Sequence, residues 1–147
     1  MIQECSAGKA ALPPMESITT LLTEGDPAIA VVGATDNPAK YGNRIYRNLK
    51  SKGYRVYPVN PSRDTIDGDR AYADLAELPE NPDIINYVVP PQRTLRLLER
   101  AKELGFMRVW IQPGAENQDV IDYLDANGFE YLAKMCIMVQ SQRRPAI

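Results

Sequence analysis

"AVVGATDNPAKYG", Ala30 to Gly42, starts as an apolar strand and breaks at Gly33. It then runs through Thr35, Asp36, Asn37, Pro38 and Lys40 before Gly42 opens a helix. Strand, glycine turn and helix start, in that order, make a place for an anion. Gly33 lets the backbone come close to a phosphate. The N–H groups of Ala34, Thr35 and the Gly42 region can point at an anion by the helix N-terminus. The Thr35 hydroxyl and the Asn37 amide add neutral donors, and Lys40 and Arg44 add charge. The same residues also read as a plain strand-to-helix loop with Lys40 and Arg44 in solvent, so the surrounding chain has to decide.

Three segments share one layout: "LKSKGYRVYPV", "AKELGFMRVWI" and "LDANGFEYLAK". Each is the end of an amphipathic helix, a glycine, an aromatic residue and a strand. Gly53, Gly105 and Gly128 take the C′ position of a Schellman turn, whose C″ residue touches C3. The implied pairs, Tyr54 with Leu49, Phe106 with Ala101 and Phe129 with Leu124, are all apolar. Strands are predicted over Ala28–Ala34, a near-continuous apolar run typical of a sheet covered on both faces, and over Tyr54–Val59, Ile84–Val89, Val109–Gln112 and Glu130–Ala133. Helices are predicted over Met15–Thr23, Arg44–Lys52, Gln92–Leu104 and Asp119–Asn127. Pro91 suits a first helical turn, Asn117 an N-cap, and Leu75–Leu78 a short helical piece.

Strands alternating with helices imply right-handed crossovers and an α/β, doubly wound parallel sheet with helices on both faces. The expected strand order is the Rossmann-like 3-2-1-4-5. Residues 26–147 form one domain, preceded by an N-terminal helical extension over residues 1–25. Ligands of such sheets bind outside the carboxyl ends of the strands at the switch point, where the opening stretch lies.

Composition bounds the function. With 147 residues and a net charge of −2, the chain lacks the dense basic surface of a nucleic-acid or membrane binder. No apolar run is long enough to span a bilayer, and the N-terminus lacks a signal-peptide pattern, so the expected location is cytoplasmic. Cys5 and Cys136 stand far apart and suggest neither a disulfide nor a metal site. There is no histidine, which removes Ser-His and Cys-His catalysis and every phosphohistidine step. The acidic run Asp64–Leu78 lacks the ligand spacing of a calcium loop and reads as a tight turn before a short helix.

The nicotinamide fingerprint needs a second glycine two residues after the first and an acidic residue at the end of the second strand. Here Ala34 and Thr35 follow Gly33, and Asn60 stands at the strand end with Arg63 beyond it. Arg63 instead favours a phosphorylated ribose, as in NADP or coenzyme A. An NAD(P)-dependent oxidoreductase stays open as an alternative, as does an interaction module with a vestigial nucleotide site.

Two further strand ends narrow the choice: "YVVPPQ", Tyr87–Gln92, and "WIQPGAEN", Trp110–Asn117. Together with Gly33–Pro61, they make the chain resemble the stand-alone CoA-binding domain proteins. These are relatives of the N-terminal CoA-binding domain of the succinyl-CoA synthetase alpha chain and of the NDP-forming acyl-CoA synthetases. The resemblance runs from about Asp26 to Arg144. It implies that coenzyme A or an acyl-CoA is bound, with the pyrophosphate at Gly33, Ala34, Thr35, Asn37, Lys40, Gly42 and Arg44. It places the phosphorylated ribose at Asn60, Pro61 and Arg63, the adenine at Val88, Val89 and Pro90, and the pantetheine along Gln112, Pro113 and Gly114. The larger relatives work through a phosphohistidine and further domains. This chain has no histidine, so ligand binding without catalysis of its own is expected, with a homodimer or a partner enzyme subunit as possible company.

Cys136, in "KMCIMVQ", has two readings: a small buried hydrophobe between Met135 and Ile137, or a thiol that meets the thiol of coenzyme A. Glu116 and Asn117, after the "QPG" turn, also have two readings: groups that face the thiol end of coenzyme A, or a solvated side chain and a helix cap.

Overall fold

The structure is a computed structural model and describes residues 14–142. In chain order the elements are α1 (Pro14–Glu24), β1 (Ala28–Val32), α2 (Tyr41–Ser51), β2 (Arg55–Val59), the short strands β3 (Thr65–Ile66) and β4 (Asp69–Arg70), a 3-10 turn (Leu75–Glu77), β5 (Ile84–Tyr87), α3 (Pro91–Leu104), β6 (Arg108–Ile111), α4 (Gln118–Ala126), β7 (Glu130–Ala133) and α5 (Ile137–Gln140). All three Schellman junctions form. Gly53, Gly105 and Gly128 have positive φ. The N–H groups of Tyr54, Phe106 and Phe129 donate to the carbonyls of Leu49, Ala101 and Leu124 at 3.2, 2.9 and 3.2 Å.

Five strands make a parallel sheet in the order β2-β1-β5-β6-β7. Alternate residues serve the two faces. Ile29, Val31, Ile84, Trp110 and Leu132 pack with Ile18 and Leu22 of α1, Ile45 and Leu49 of α2, and Ile137 of α5. Ala30, Val32, Ile85, Tyr87, Val109 and Ile111 pack with Leu98 of α3 and with Val120 and Leu124 of α4. Of the segment expected as an N-terminal extension, residues 1–13 lie outside the described residues. Its helix α1 contributes Ile18 and Leu22, both fully buried, to the core.

The order corrects the expected 3-2-1-4-5. Counting only the sheet's own strands, it is 2-1-3-4-5: β2 is the edge, and β5 lies on the far side of β1. Pro58 gives the physical reason. The Pro58 carbonyl faces away from β1 and accepts from the Tyr72 N–H at 2.9 Å. The nitrogen of Pro58 faces the same outer side and carries no hydrogen. A full strand placed there would lack a ladder bond, so Pro58 confines β2 to the edge. The chain instead closes the upper part of that edge with a single bridge, Val59 to Tyr72. It then returns beneath the sheet, where Asp83 exchanges bonds with Ala28 at 2.8 and 2.9 Å. The switch point of this order lies between β1 and β5, still at the carboxyl end of β1.

Candidate functional site

Four connections meet at that switch point: residues 33–40, 60–64, 88–90 and 112–117. Gly33 (φ +106°) is the pivot. Its N–H donates to the Val59 carbonyl at 3.1 Å. A Cβ on Gly33 would sit 2.7 Å from both the Val88 carbonyl oxygen and Val89 Cγ1. The turn after β1 therefore rests directly on the end of β5. A Cβ on Gly42 would land on the Gly33 carbonyl oxygen, and 3.0 Å from the Gly33 carbonyl carbon. These two glycines bring strand end and helix start into backbone contact, the use that phosphate-binding turns make of glycine.

The loop between them is held by its own polar groups. Thr35 Oγ1 accepts from the Asn37 N–H at 3.3 Å, and Asn37 Oδ1 accepts from the Ala39 N–H at 3.0 Å. Asn43 Nδ2 donates to the Thr35 carbonyl at 3.0 Å, and Asn60 Nδ2 to the Ala34 carbonyl at 2.9 Å. Asp36, the one acidic side chain of the stretch, leads away from the turn: its Oδ1 accepts from the Asp67 N–H at 2.7 Å. Among the described residues, the N–H groups of Thr35, Asp36, Tyr41 and Gly42 have no protein partner. Lys40 and Arg44 are exposed, and the Arg44 guanidinium lies 5.6 Å from the centre of the Tyr41 ring. Unpaired N–H groups at the start of an eleven-residue helix, with two exposed cations in the same stretch, are groups that suit an anion. A groove of about 780 Å³ adjoins them, lined by Pro38, Asn43, Arg44, Arg47 and Asn48, and by Met138 of α5.

The other expected site residues divide by whether their hydrogen-bonding groups are free. Pro61 and Arg63 are exposed, and Arg63 Nη1 lies 3.9 Å from Asp36 Oδ2. Pro90 is exposed, Val88 half-buried and Val89 buried. Pro113 and Gly114 are exposed at the end of β6. Gln112 is buried (3 % exposed), and its amide is used inside the protein. Oε1 accepts from Asn86 Nδ2 at 3.0 Å and from the Ile137 N–H at 2.8 Å, while Nε2 donates to Cys136 Sγ at 3.4 Å. Cys136 is half-buried and free. Asn117 Oδ1 caps α4 by accepting from the Val120 N–H at 2.9 Å, and Glu116 accepts from the Gly114 N–H at 3.0 Å.

Asn43 and the hairpin β3–β4 were not singled out from the sequence. Asn43 is 6 % exposed. Its signal was a polar residue three positions before Tyr46, on the buried side of α2. The hairpin turns at Asp67–Gly68, both with positive φ, as an Asp-Gly pair does in a tight two-residue turn. α2 clamps it. Lys50 Nζ reaches Asp69 at 2.7 Å and Asp67 at 3.1 Å, and the Tyr46 hydroxyl donates to Asp69 at 2.6 Å. Lys50, then Tyr46, holds the Asp69 carboxyl below its ordinary pKa, while burial and the bond to Asp69 push the Tyr46 phenol up.

A family model described as a CoA binding domain matches residues 27–142. The chain belongs to that family. Among curated proteins, it is 27 % identical over 124 residues to the alpha subunit of acetate–CoA ligase [ADP-forming] II of Pyrococcus furiosus, covering 77 % of this chain and 27 % of that protein. It is 29 % identical over 111 residues to the uncharacterized protein YneT of Bacillus subtilis, covering 76 % of this chain and 82 % of YneT. The chain thus spans about a quarter of the ligase subunit but most of YneT. Among solved structures, a conserved hypothetical protein of Pyrococcus furiosus superposes with a TM-score of 0.75 at 47 % identity, covering 78 % of this chain and 98 % of that one. A hypothetical protein of Pyrococcus horikoshii superposes with a TM-score of 0.76 at 28 % identity, covering 95 % and 96 %. These two chains of similar size share the fold of this one. Among the described residues, no helix is long and apolar enough to cross a membrane.

Proposed function

We propose that this protein binds coenzyme A or an acyl-CoA across the carboxyl edge of its sheet, at the β1/β5 switch point, without catalysing a reaction of its own. The observation that carries this reading is the turn Gly33–Gly42, with its unpaired N–H groups and flanking Lys40 and Arg44. Membership of the CoA binding domain family supports it. The diphosphate occupies the turn. Arg63, beside Asp36, is placed to exchange that carboxylate for the ribose phosphate. Val88, Val89 and Pro90 offer a flat apolar wall to the adenine, and the exposed Pro113–Gly114 turn borders the pantetheine. The chain has no histidine, so the phosphohistidine route of the larger relatives has no acceptor here. The role proposed with it is that of a carrier, sensor or partner subunit in the cytoplasm.

The test is calorimetric titration of the purified protein with CoA, acetyl-CoA, dephospho-CoA, NAD and NADP. CoA binding, with weaker binding of dephospho-CoA and none of NAD, is expected. Binding of NAD or NADP without CoA overturns the reading.

A further inference from the structure

We infer that Asn60 and Asn43 are the positioning residues of the anion turn: their side-chain amides hold the carbonyls of Ala34 and Thr35 inward and so aim the N–H groups of Thr35 and Asp36 at the ligand. The ligand's identity rests on the CoA reading above, whereas the positioning is a property of the loop itself.

The geometry follows from the planar trans peptide. The carbonyl of one residue and the N–H of the next point to opposite sides of the bond between them. Asn60 Nδ2 holds the Ala34 carbonyl at 2.9 Å, so the Thr35 N–H faces the other way. Asn43 Nδ2 holds the Thr35 carbonyl at 3.0 Å, so the Asp36 N–H faces away as well. Neither N–H has a protein partner. Successive N–H groups oriented outward make a concave anion site, completed here by the N–H groups of Tyr41 and Gly42. The Asn60 amide cannot turn around. Its Oδ1 accepts from the Ser62 N–H at 2.8 Å, which leaves Nδ2 for the Ala34 carbonyl. Asn43 is nearly buried, on the first turn of α2. An aspartate at either position would set a carboxylate against a carbonyl and turn the peptide away.

Asn60 therefore shapes the site without touching the ligand, unlike Arg63 a few residues on. Titration of Asn60→Ala, Asn60→Asp and Asn43→Ala with CoA and dephospho-CoA separates the two roles, alongside 15N relaxation of each ligand-free protein. In each alanine variant both affinities are expected to fall by the same factor, about tenfold or more, because one hydrogen bond to a charged phosphate oxygen is misdirected. The ratio of CoA to dephospho-CoA affinity stays at the wild-type value. In the ligand-free variants the backbone order parameters of residues 34–37 drop, while those of α3 and α4 hold. Unchanged affinity together with unchanged loop order overturns the inference. A changed ratio in Asn60→Ala also overturns it, since Asn60 would then contact the phosphorylated ribose directly. If the wild-type protein binds neither nucleotide, the CoA reading fails by itself, and the loop order parameters still decide the positioning role.

Discussion

Gly42→Ala sets two effects of opposite sign against each other in one methyl group. Alanine is the better helix former, by up to about 1 kcal/mol in a helix interior and less at the second position of a helix. Against this, the new Cβ falls on the Gly33 carbonyl oxygen, 3.0 Å from the carbonyl carbon and 3.4 Å from Ala34 Cα. All three atoms are backbone, so no rotamer change relieves the contact and α2 must move off the turn. Overpacking of this kind costs about 1–3 kcal/mol, and the rigid neighbours put it at the upper end. The net is a loss of about 2 kcal/mol, which lowers the melting temperature by about 4–8 °C in a domain of this size. The same shift parts the Tyr41 and Gly42 N–H groups from those of Thr35 and Asp36, so CoA affinity falls together with stability. Gly68→Ala is the control: it keeps a positive-φ position (+80°) but meets nothing within 4 Å. It carries only the conformational cost of about 1–2 kcal/mol and leaves CoA affinity unchanged. Differential scanning calorimetry and CoA titration of both variants decide. A Gly42→Ala protein that melts at or above the wild-type temperature refutes the close-contact explanation.

Gln112→Leu strips the partners from the Asn86 amide and the Ile137 N–H in the core; thermal unfolding is expected to show a loss of about 2–5 kcal/mol, whereas a purely ligand-facing Gln112 would leave the melting temperature unchanged. Arg63→Ala should weaken CoA about tenfold and leave dephospho-CoA alone, a split read by titration and consistent with one charge-assisted bond to phosphate. Asp69 has its folded-state pKa lowered, by Lys50 first and Tyr46 second. Its stabilisation is therefore fully present above the ordinary carboxyl value of 3.8 and is lost as pH falls through the lowered folded value. With both partners partly exposed, the advantage of wild type over Asp69→Asn is at most about 1 kcal/mol at neutral pH. It should vanish in acid, as urea melts at a series of pH values would report. Asn117→Ala removes the α4 cap and should cost about 1 kcal/mol without altering CoA affinity.

Local chemistry made most of the fold readable from sequence. Helix ends were legible where a glycine and a paired apolar contact acted together, as at Gly53 with Tyr54 and Leu49. Strand bounds came within two residues, because Ile29–Val32 is a continuous apolar run and Ile84–Tyr87, broken only by Asn86, is buried throughout. Strand order is a long-range property and was missed, although Pro58 bears on it: a residue with no N–H marks an edge along which a full ladder cannot form. The hairpin β3–β4 escaped because strands of two residues carry no alternation to detect. α5 escaped because four residues carry no period. The N-cap at Asn117 and the Pro91 start of α3 were legible because each depends on one side chain and its immediate neighbours.

The site was less legible for a different reason. A polar residue at a strand end can bind a ligand or hold the loop that does, and the sequence pattern is the same in both cases. Counting hydrogen-bonding groups separates them, since each buried donor and acceptor needs a partner. Gln112 bonds Asn86, Ile137 and Cys136 through both ends of its amide, and Asn60 bonds Ala34 and Ser62 in the same way. One amide hydrogen is left on each nitrogen, and the bonds named fix how both side chains lie, so each has a part in holding its loop. Among the described residues of the turn, the N–H donors without a protein partner are those of Ala34, Thr35, Asp36, Tyr41 and Gly42, and the cations Lys40 and Arg44 are exposed in the same stretch. Its one acidic side chain, Asp36, is turned to the Asp67 N–H and to Arg63. Under the proposed reading this donor-rich turn would take the polyanionic part of the ligand, and the apolar and exposed residues at the ends of β2, β5 and β6 would discriminate its base and acyl group.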